Sequence, residues 1–149
     1  MKSYLLKDLV EIQQGFAFKS KDYVSESNTS SFRMSNIRPG GVVDLNHNLK
    51  FLPDIFKDQY KDFLLKEGDL VMAMTDMAQN PKILGIPSII SRLDKNYLLN
   101  QRVARFKYIN KDVVDQKYLY YYFLAPQVRK YLISEGSGGL QINLSSKSI

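Results

Sequence analysis

The chain has 149 residues, 44% of them hydrophobic and 12% aromatic, a one-domain length with enough apolar material for a core. It has no cysteine and one histidine, His47, which excludes a disulfide scaffold, a thiol nucleophile and any zinc site with sulfur ligands. Lys and Arg number 21 against 15 Asp and Glu, a net charge of +6, and that balance favours an anionic partner, of which nucleic acid is the commonest.

Residues 3–9 predict a short helix with Ser3 as its N-cap. Lys7, Asp8 and Glu11 stand where a secretory signal needs an unbroken apolar run, and no stretch reaches the roughly 18 apolar residues of a membrane span. The chain therefore reads as cytoplasmic, with no membrane partner. Residues 10–14 read as a strand ended by Gly15. Residues 19–31 hold five serines and read as an exposed loop. A strand is expected over 31–34. Arg38-Pro39-Gly40-Gly41 is a tight turn, because proline fixes φ and glycine permits positive φ. Between 51 and 65, Phe51, Ile55, Phe56, Tyr60 and Phe63 fall near helical spacing, and Pro53 suits a helix start.

Residues 70–75 form an apolar strand entered through Glu67-Gly68-Asp69. A polar loop over 75–82 closes at Asn80-Pro81. Residues 83–91 read as a strand broken or edged by Pro87. Residues 97–109 alternate, with Arg102, Ala104, Phe106 and Tyr108 on one face and Val103, Arg105, Lys107 and Ile109 on the other. Asp115 caps a helix reaching Leu124. Its spacing makes Tyr118, Tyr122 and Phe123 core and Tyr120 or Tyr121 exposed, although the tyrosines also fit a base-stacking platform. Pro126 starts a second helix that stops near Gly136. The end is a loop with a helix start at Ser145. Together these elements make a mixed α+β domain.

Charge is uneven along the chain. Residues 101–131 carry seven cations (Arg102, Arg105, Lys107, Lys111, Lys117, Arg129 and Lys130) against two carboxylates. A localised basic surface is what a phosphate backbone selects, although a solvated lysine face has the same composition.

Signs of catalysis are missing. There is no Gly-x-Ser-x-Gly elbow, phosphate loop or dinucleotide fingerprint. Asn80-Pro81-Lys82 lacks the second proline and the aromatic residue of an amino-methyltransferase motif. Asp54, Asp115 and Lys117 have the residue types of a metal-dependent nuclease, but each has a good structural role. His47 sits in a polar turn and reads as part of that turn. Gly136-Ser137-Gly138-Gly139 fits a backbone cradle for one phosphate and a plain connector equally well.

Five segments, taken in order, resemble a target recognition domain of the DNA specificity subunit of type I restriction–modification enzymes. They are LLKDLVEIQQGFAFKSKDY at the start, FRMSNIRPGGVVD over 32–44, EGDLVMAMTD over 67–76 and LLNQRVARFK over 98–107. The fifth is YLYYYFLAPQVRKYLISEGSGGLQINLSSKSI over 118–149. The resemblance implies an α+β fold, a single mixed domain with a central twisted, mostly antiparallel sheet and short peripheral helices. It implies one target recognition domain over 1–149, ending where a conserved connecting helix would begin.

The implied role is non-catalytic and needs no cofactor or small-molecule substrate. Such a domain reads one half of a bipartite site in double-stranded DNA. It positions a methyltransferase subunit, and a restriction subunit where present. Within that role the expected DNA-binding residues form three groups. The first is Lys19, Ser20 and Lys21 with Arg33, Ser35, Asn36 and Arg38. The second is Thr75, Asp76, Gln79, Asn80 and Lys82. The third is Gln101, Arg102 and Arg105 with Ser137, Gln141 and Asn143. Two other readings share these residues. One is the recognition part of a fused methyltransferase or nuclease. The other is a truncated specificity protein that acts as a protein-interaction module.

Overall fold

Leu70, Val71, Met72 and Ala73 are all inaccessible to solvent, so the strand they form must be covered on both faces. The architecture in the computed structural model, which describes residues 2–149 apart from the side chain of Tyr108, supplies both covers. In chain order the first elements are α1 (Leu6–Leu9), β1 (Val10–Gln14), β2 (Thr29–Phe32), β3 (Ile37–Arg38), β4 (Val42–Val43) and α2 (Phe56–Gln59). They are followed by β5 (Leu70–Ala73), β6 (Thr75–Met77), β7 (Pro87–Ile89), β8 (Asn96–Leu99) and β9 (Val103–Ile109). The last are α3 (Gln116–Leu124), α4 (Pro126–Glu135) and β10 (Gln141–Asn143).

The central sheet runs β1-β9-β5-β7, antiparallel at every pairing. A bulge between Glu11 and Ile12 shifts the β1–β9 register. The pleat sends alternate residues to opposite faces. Leu70, Met72, Ala104 and Phe106 pack on one face with Leu119 and Phe123 of α3 and Leu132 of α4. Val71, Ala73 and Val103 pack on the other with Phe32, Tyr97 and Leu99, contributed by β2 and β8. That second layer is a parallel pair of β2 and β8. A third cluster holds Phe18, Leu52 and Leu98 with Phe16, Phe56, Tyr60 and Phe63 around them. Among the described residues no helix is long and apolar enough to cross a membrane.

Several sequence expectations change. The N-terminal helix is four residues long and Ser3 lies outside it; Leu5 is the N-cap and makes no side-chain cap. The 51–65 segment is not one helix. Leu52 N–H donates to Thr29 C=O at 2.8 Å and Val24 N–H to Phe51 C=O at 3.0 Å, so residues 51 and 52 extend beside β2. The aromatic spacing instead builds the third cluster around the short α2. Residues 97–109 are two strands, because a turn closed by Val103 N–H to Asn100 C=O at 2.9 Å sends β8 into a different layer from β9. The strand expected over 83–91 is cut to β7, which begins at Pro87 on the sheet edge, where the missing N–H costs nothing. The expected helix start at Ser145 is one turn, and strand β10 precedes it.

The helix pair matches expectation in its ends but not in its faces. Asp115 caps α3 by accepting from Lys117 N–H at 2.7 Å. Leu119 and Phe123, four apart, take the buried face. Tyr118 and Tyr122 are one step (about 100°) round the helix, so they are exposed, stacked on each other at 6.2 Å. They are surface, not core. Tyr121 is exposed as expected, and Tyr120 is half-buried. The expected face of the Tyr108 side chain lies outside the described residues.

Candidate nucleic-acid interface

Gly15 allows a very close backbone approach. A Cβ there would lie 2.0 Å from the Asn100 carbonyl oxygen, so only glycine lets the chain run along the 99–101 turn. Phe16 N–H donates to Leu99 C=O at 2.9 Å and Gln101 N–H to Phe16 C=O at 3.0 Å. The contact continues sideways. Asn100 N–H donates to Phe32 C=O at 3.0 Å, which brings Arg33 beside the turn. Met74 N–H donates to Arg102 C=O at 2.9 Å, and Leu144 N–H to Met74 C=O at 2.8 Å. Segments that are distant in sequence thus become neighbours at one end of the central sheet.

Beyond Met74 and Leu144 the two chains continue as an antiparallel ribbon of β6 and β10, with Met77 opposite Gln141 and Thr75 opposite Asn143. Its base is tied by Thr75 Oγ1 donating to Asn143 Oδ1 at 2.7 Å. The Asp76 carboxylate accepts from Met77 N–H at 2.8 Å, Ile83 N–H at 2.5 Å and Leu84 N–H at 3.0 Å. Arg129 of α4 donates to Leu84 C=O. Burial pushes the Arg129 guanidinium below its ordinary pKa, and the Asp76 charge opposes that shift. Loop 77–83 is therefore pinned at both ends while Gln79, Asn80 and Lys82 point outward, exposed.

The β3–β4 turn faces this loop. Arg38, Pro39, Asp76, Met77, Asn80, Lys82 and Ile83 line one groove of ≈ 390 Å³. Tyr120 Oη donates to the carbonyls of Gly40 and Gly41 at 3.3 Å, and Ser88 Oγ to Gly41 C=O at 3.1 Å. Arg38 Nη1 and His47 Nε2 are 3.2 Å apart, so the histidine orients a cation of the groove. The 19–21 segment is anchored from behind by buried Phe18 and by Lys19 N–H donating to Asp22 Oδ2 at 2.8 Å.

The expected site residues therefore divide. Lys19, Ser20, Lys21, Gln79, Asn80, Lys82, Gln101, Ser137 and Asn143 are exposed, and Arg33, Ser35, Arg38, Arg102 and Gln141 are partly so. The Ser35 hydroxyl itself is buried without a partner among the described residues.

Four are buried and serve the scaffold. Asn36 accepts from Arg33 N–H at 2.9 Å and donates to Asp44 C=O and His47 C=O, holding loop 33–47 together. Thr75 and Asp76 tie the ribbon as described. Arg105 is 8% exposed and donates to Gln13, Asp62 C=O, Leu64 C=O and Asp69. A guanidinium so occupied has no donor left for a ligand, which corrects its assignment to an outer surface.

The basic 101–131 stretch also divides. Arg102 lies at the start of β9, whereas Lys107 and Lys111 line a groove at its far end with Glu67 and Asp69, about 17 Å along the strand for Lys107. It is not one basic surface. Sequence reasoning counted Arg129 only as part of the basic stretch and passed over Met77 and Leu140. Leu140, an apolar residue next to a Gly/Ser loop, was the visible signal.

Among the described residues no group of three His, Cys, Asp or Glu side chains is placed to hold a metal ion. What the edge offers is amides, hydroxyls, guanidinium and ammonium groups on anchored loops, and these are hydrogen-bonding and charge-pairing tools. A mixed α+β domain that gathers such groups at one sheet end is equipped for recognition by hydrogen bonding and charge. The chain belongs to the type I restriction–modification DNA specificity domain family, whose pattern matches residues 1–149. It is 29% identical over 128 residues to the type I restriction enzyme MjaVIII specificity subunit of Methanocaldococcus jannaschii, covering 85% of this chain and 28% of that protein. Its fold is similar to the crystal structure of a type I restriction–modification system S subunit from M. genitalium, with a TM-score of 0.59 and 15% identity. That match covers 95% of this chain and 30% of the other. The chain thus spans less than a third of either relative's length. Membership makes it a DNA specificity domain of that family.

Proposed function

We propose that residues 1–149 form a single target recognition domain that binds double-stranded DNA sequence-specifically in the cytoplasm. In this reading the domain recognises one half of a bipartite site. It positions a methyltransferase subunit, and a restriction subunit where the system has one, on the duplex.

One observation carries the DNA reading: loops at 16–21, 33–38, 75–83, 100–102 and 137–143 are laced together by backbone hydrogen bonds and a shared groove. Lys19, Lys21, Lys82 and Arg102 are the phosphate contacts in this reading. Arg33, Arg38, Gln79, Asn80, Gln101, Gln141 and Asn143 supply the donors and acceptors that distinguish base edges. Ser20 and Ser137 add short hydroxyl contacts.

The test is selection of the purified chain against a random-duplex library, followed by titration of the selected duplex at several salt concentrations. The expected result is one enriched short sequence. Four phosphate contacts correspond to a slope of log affinity on log salt of about −3.6. Enrichment of no sequence overturns the proposal.

A further inference from the structure

We infer that Leu140 and Met77, at the tip of the β6–β10 ribbon, each read a thymine methyl group in the major groove. The inference rests on the recognition reading above and specifies what that site takes.

Leu140 is 81% exposed and Met77 51%. The two belong to one ribbon but to successive pairs, Met77 opposite Gln141 and Leu140 opposite Ala78, whose N–H donates to Leu140 C=O at 2.9 Å, so they are two apolar points on the two faces of its tip. Gly138, at φ +141°, makes the return turn into β10; a Cβ there would sit 2.2 Å from the Gln141 carbonyl oxygen. The ribbon base is pinned by Thr75–Asn143 and by the Asp76 carboxylate. The apolar tip is thus held outward by a fixed support.

The surroundings point to one occupant. Residues 77–83 and 137–143 contain no Asp or Glu, and the nearby Asp76 carboxylate is buried and fully engaged with backbone N–H groups. Arg38 and exposed Lys82 line one groove with Met77. Apolar points on loops that carry amides and a lysine and no carboxylate of their own complement a polyanion that carries apolar groups inside its grooves. A two-stranded ribbon enters the roughly 12 Å major groove and not the roughly 6 Å minor groove. On the major-groove edges of the four bases, the apolar group is the thymine C5-methyl. Gln79, Asn80 and Gln141 beside the tip are amides suited to the neighbouring polar edges.

The experiment takes the duplex selected by the chain and replaces each thymine in turn by deoxyuridine, which removes only the methyl. The expected result is a loss of about fourfold in affinity at one or two positions, the effect of one buried methyl group. In Leu140→Ala or Met77→Ala the replacement becomes silent at the position that side chain reads, and Leu140→Met keeps the sensitivity. Both positions are exposed, so circular dichroism and thermal unfolding of the variants match the parent chain. Three results overturn the inference alone: tolerance of deoxyuridine everywhere, unchanged sensitivity in the variants, or loss of affinity in Leu140→Ala without any deoxyuridine effect. A library that enriches no sequence removes the recognition reading and this inference together.

Discussion

The Arg105 guanidinium makes five hydrogen bonds inside the protein, to Gln13, Asp62, Leu64 and Asp69. It joins β1, β9 and the 62–69 segment, which have no covalent reason to stay together. Arg105→Ala leaves the Leu64 carbonyl and Gln13 Oε1 without their donor and removes the cation beside the Asp69 carboxylate. It should destabilise the fold by about 3 kcal/mol, the low end for a buried ion pair, since Asp69 keeps 24% of its side-chain surface. Urea denaturation measures this. Arg105→Lys recovers little, because an ammonium cannot span the planar fork.

Tyr97 offers a second test at this scale. Its hydroxyl donates to Asp94 Oδ1 at 2.8 Å. Burial, then the bond to Asp94, raises the phenol pKa well above its ordinary value. The same bond, aided by Lys95 and opposed by partial burial, lowers that of Asp94. A raised pKa means stability that is complete below the ordinary phenol value, near 10, and declines above it. A lowered carboxyl pKa means stability present above about pH 4 and lost below it. Tyr97→Phe should therefore flatten the stability profile at both ends, read by chemical denaturation across pH.

At the scale of elements, the loop between β6 and β7 shows how a carboxylate organises backbone. Three N–H groups converge on Asp76, and Arg129 holds the next carbonyl. Asp76→Asn keeps one acceptor and replaces the other with a donor facing Ile83 and Leu84 N–H groups, or facing that of Met77. Amide hydrogen exchange at residues 77–84 should accelerate by roughly tenfold or more, since a buried group left unsatisfied costs about 1–3 kcal/mol. The central sheet should keep its protection.

The sequence made Asp76 look like a strand end or a contact residue. Its true partners lie seven and eight residues on, across a loop whose path no local pattern encodes. The helices were easier. Asp115 and Pro126 mark their starts through side-chain and φ preferences that act within one turn. Which stripe of α3 faces inward was not local, and Tyr118 and Tyr122 ended outside because Leu119 and Phe123 fit the sheet.

For the whole molecule, the +6 charge counts only where the fold leaves cations free. Arg105 is internal, and Lys107 and Lys111 stand at the far end of β9 from Arg102. On the recognition reading, Arg102→Glu should weaken duplex binding by at least tenfold and lower the salt slope by about one. Thermal unfolding should stay unchanged, and Lys111→Glu should do much less to binding. A fluorescence titration at two salt concentrations distinguishes the three chains. By itself the sequence determined the α+β class, the strand at 10–14, the helix pair and the ordered blocks that resemble the family, because these depend on residue type and short spacing. Only the tertiary structure decided that strands distant in sequence pair at one sheet end, that Asn36, Thr75, Asp76 and Arg105 turn inward, and that Met77 and Leu140 turn out. Those outcomes depend on which buried polar groups find partners and which apolar faces find cover, and both are settled between segments far apart in the chain.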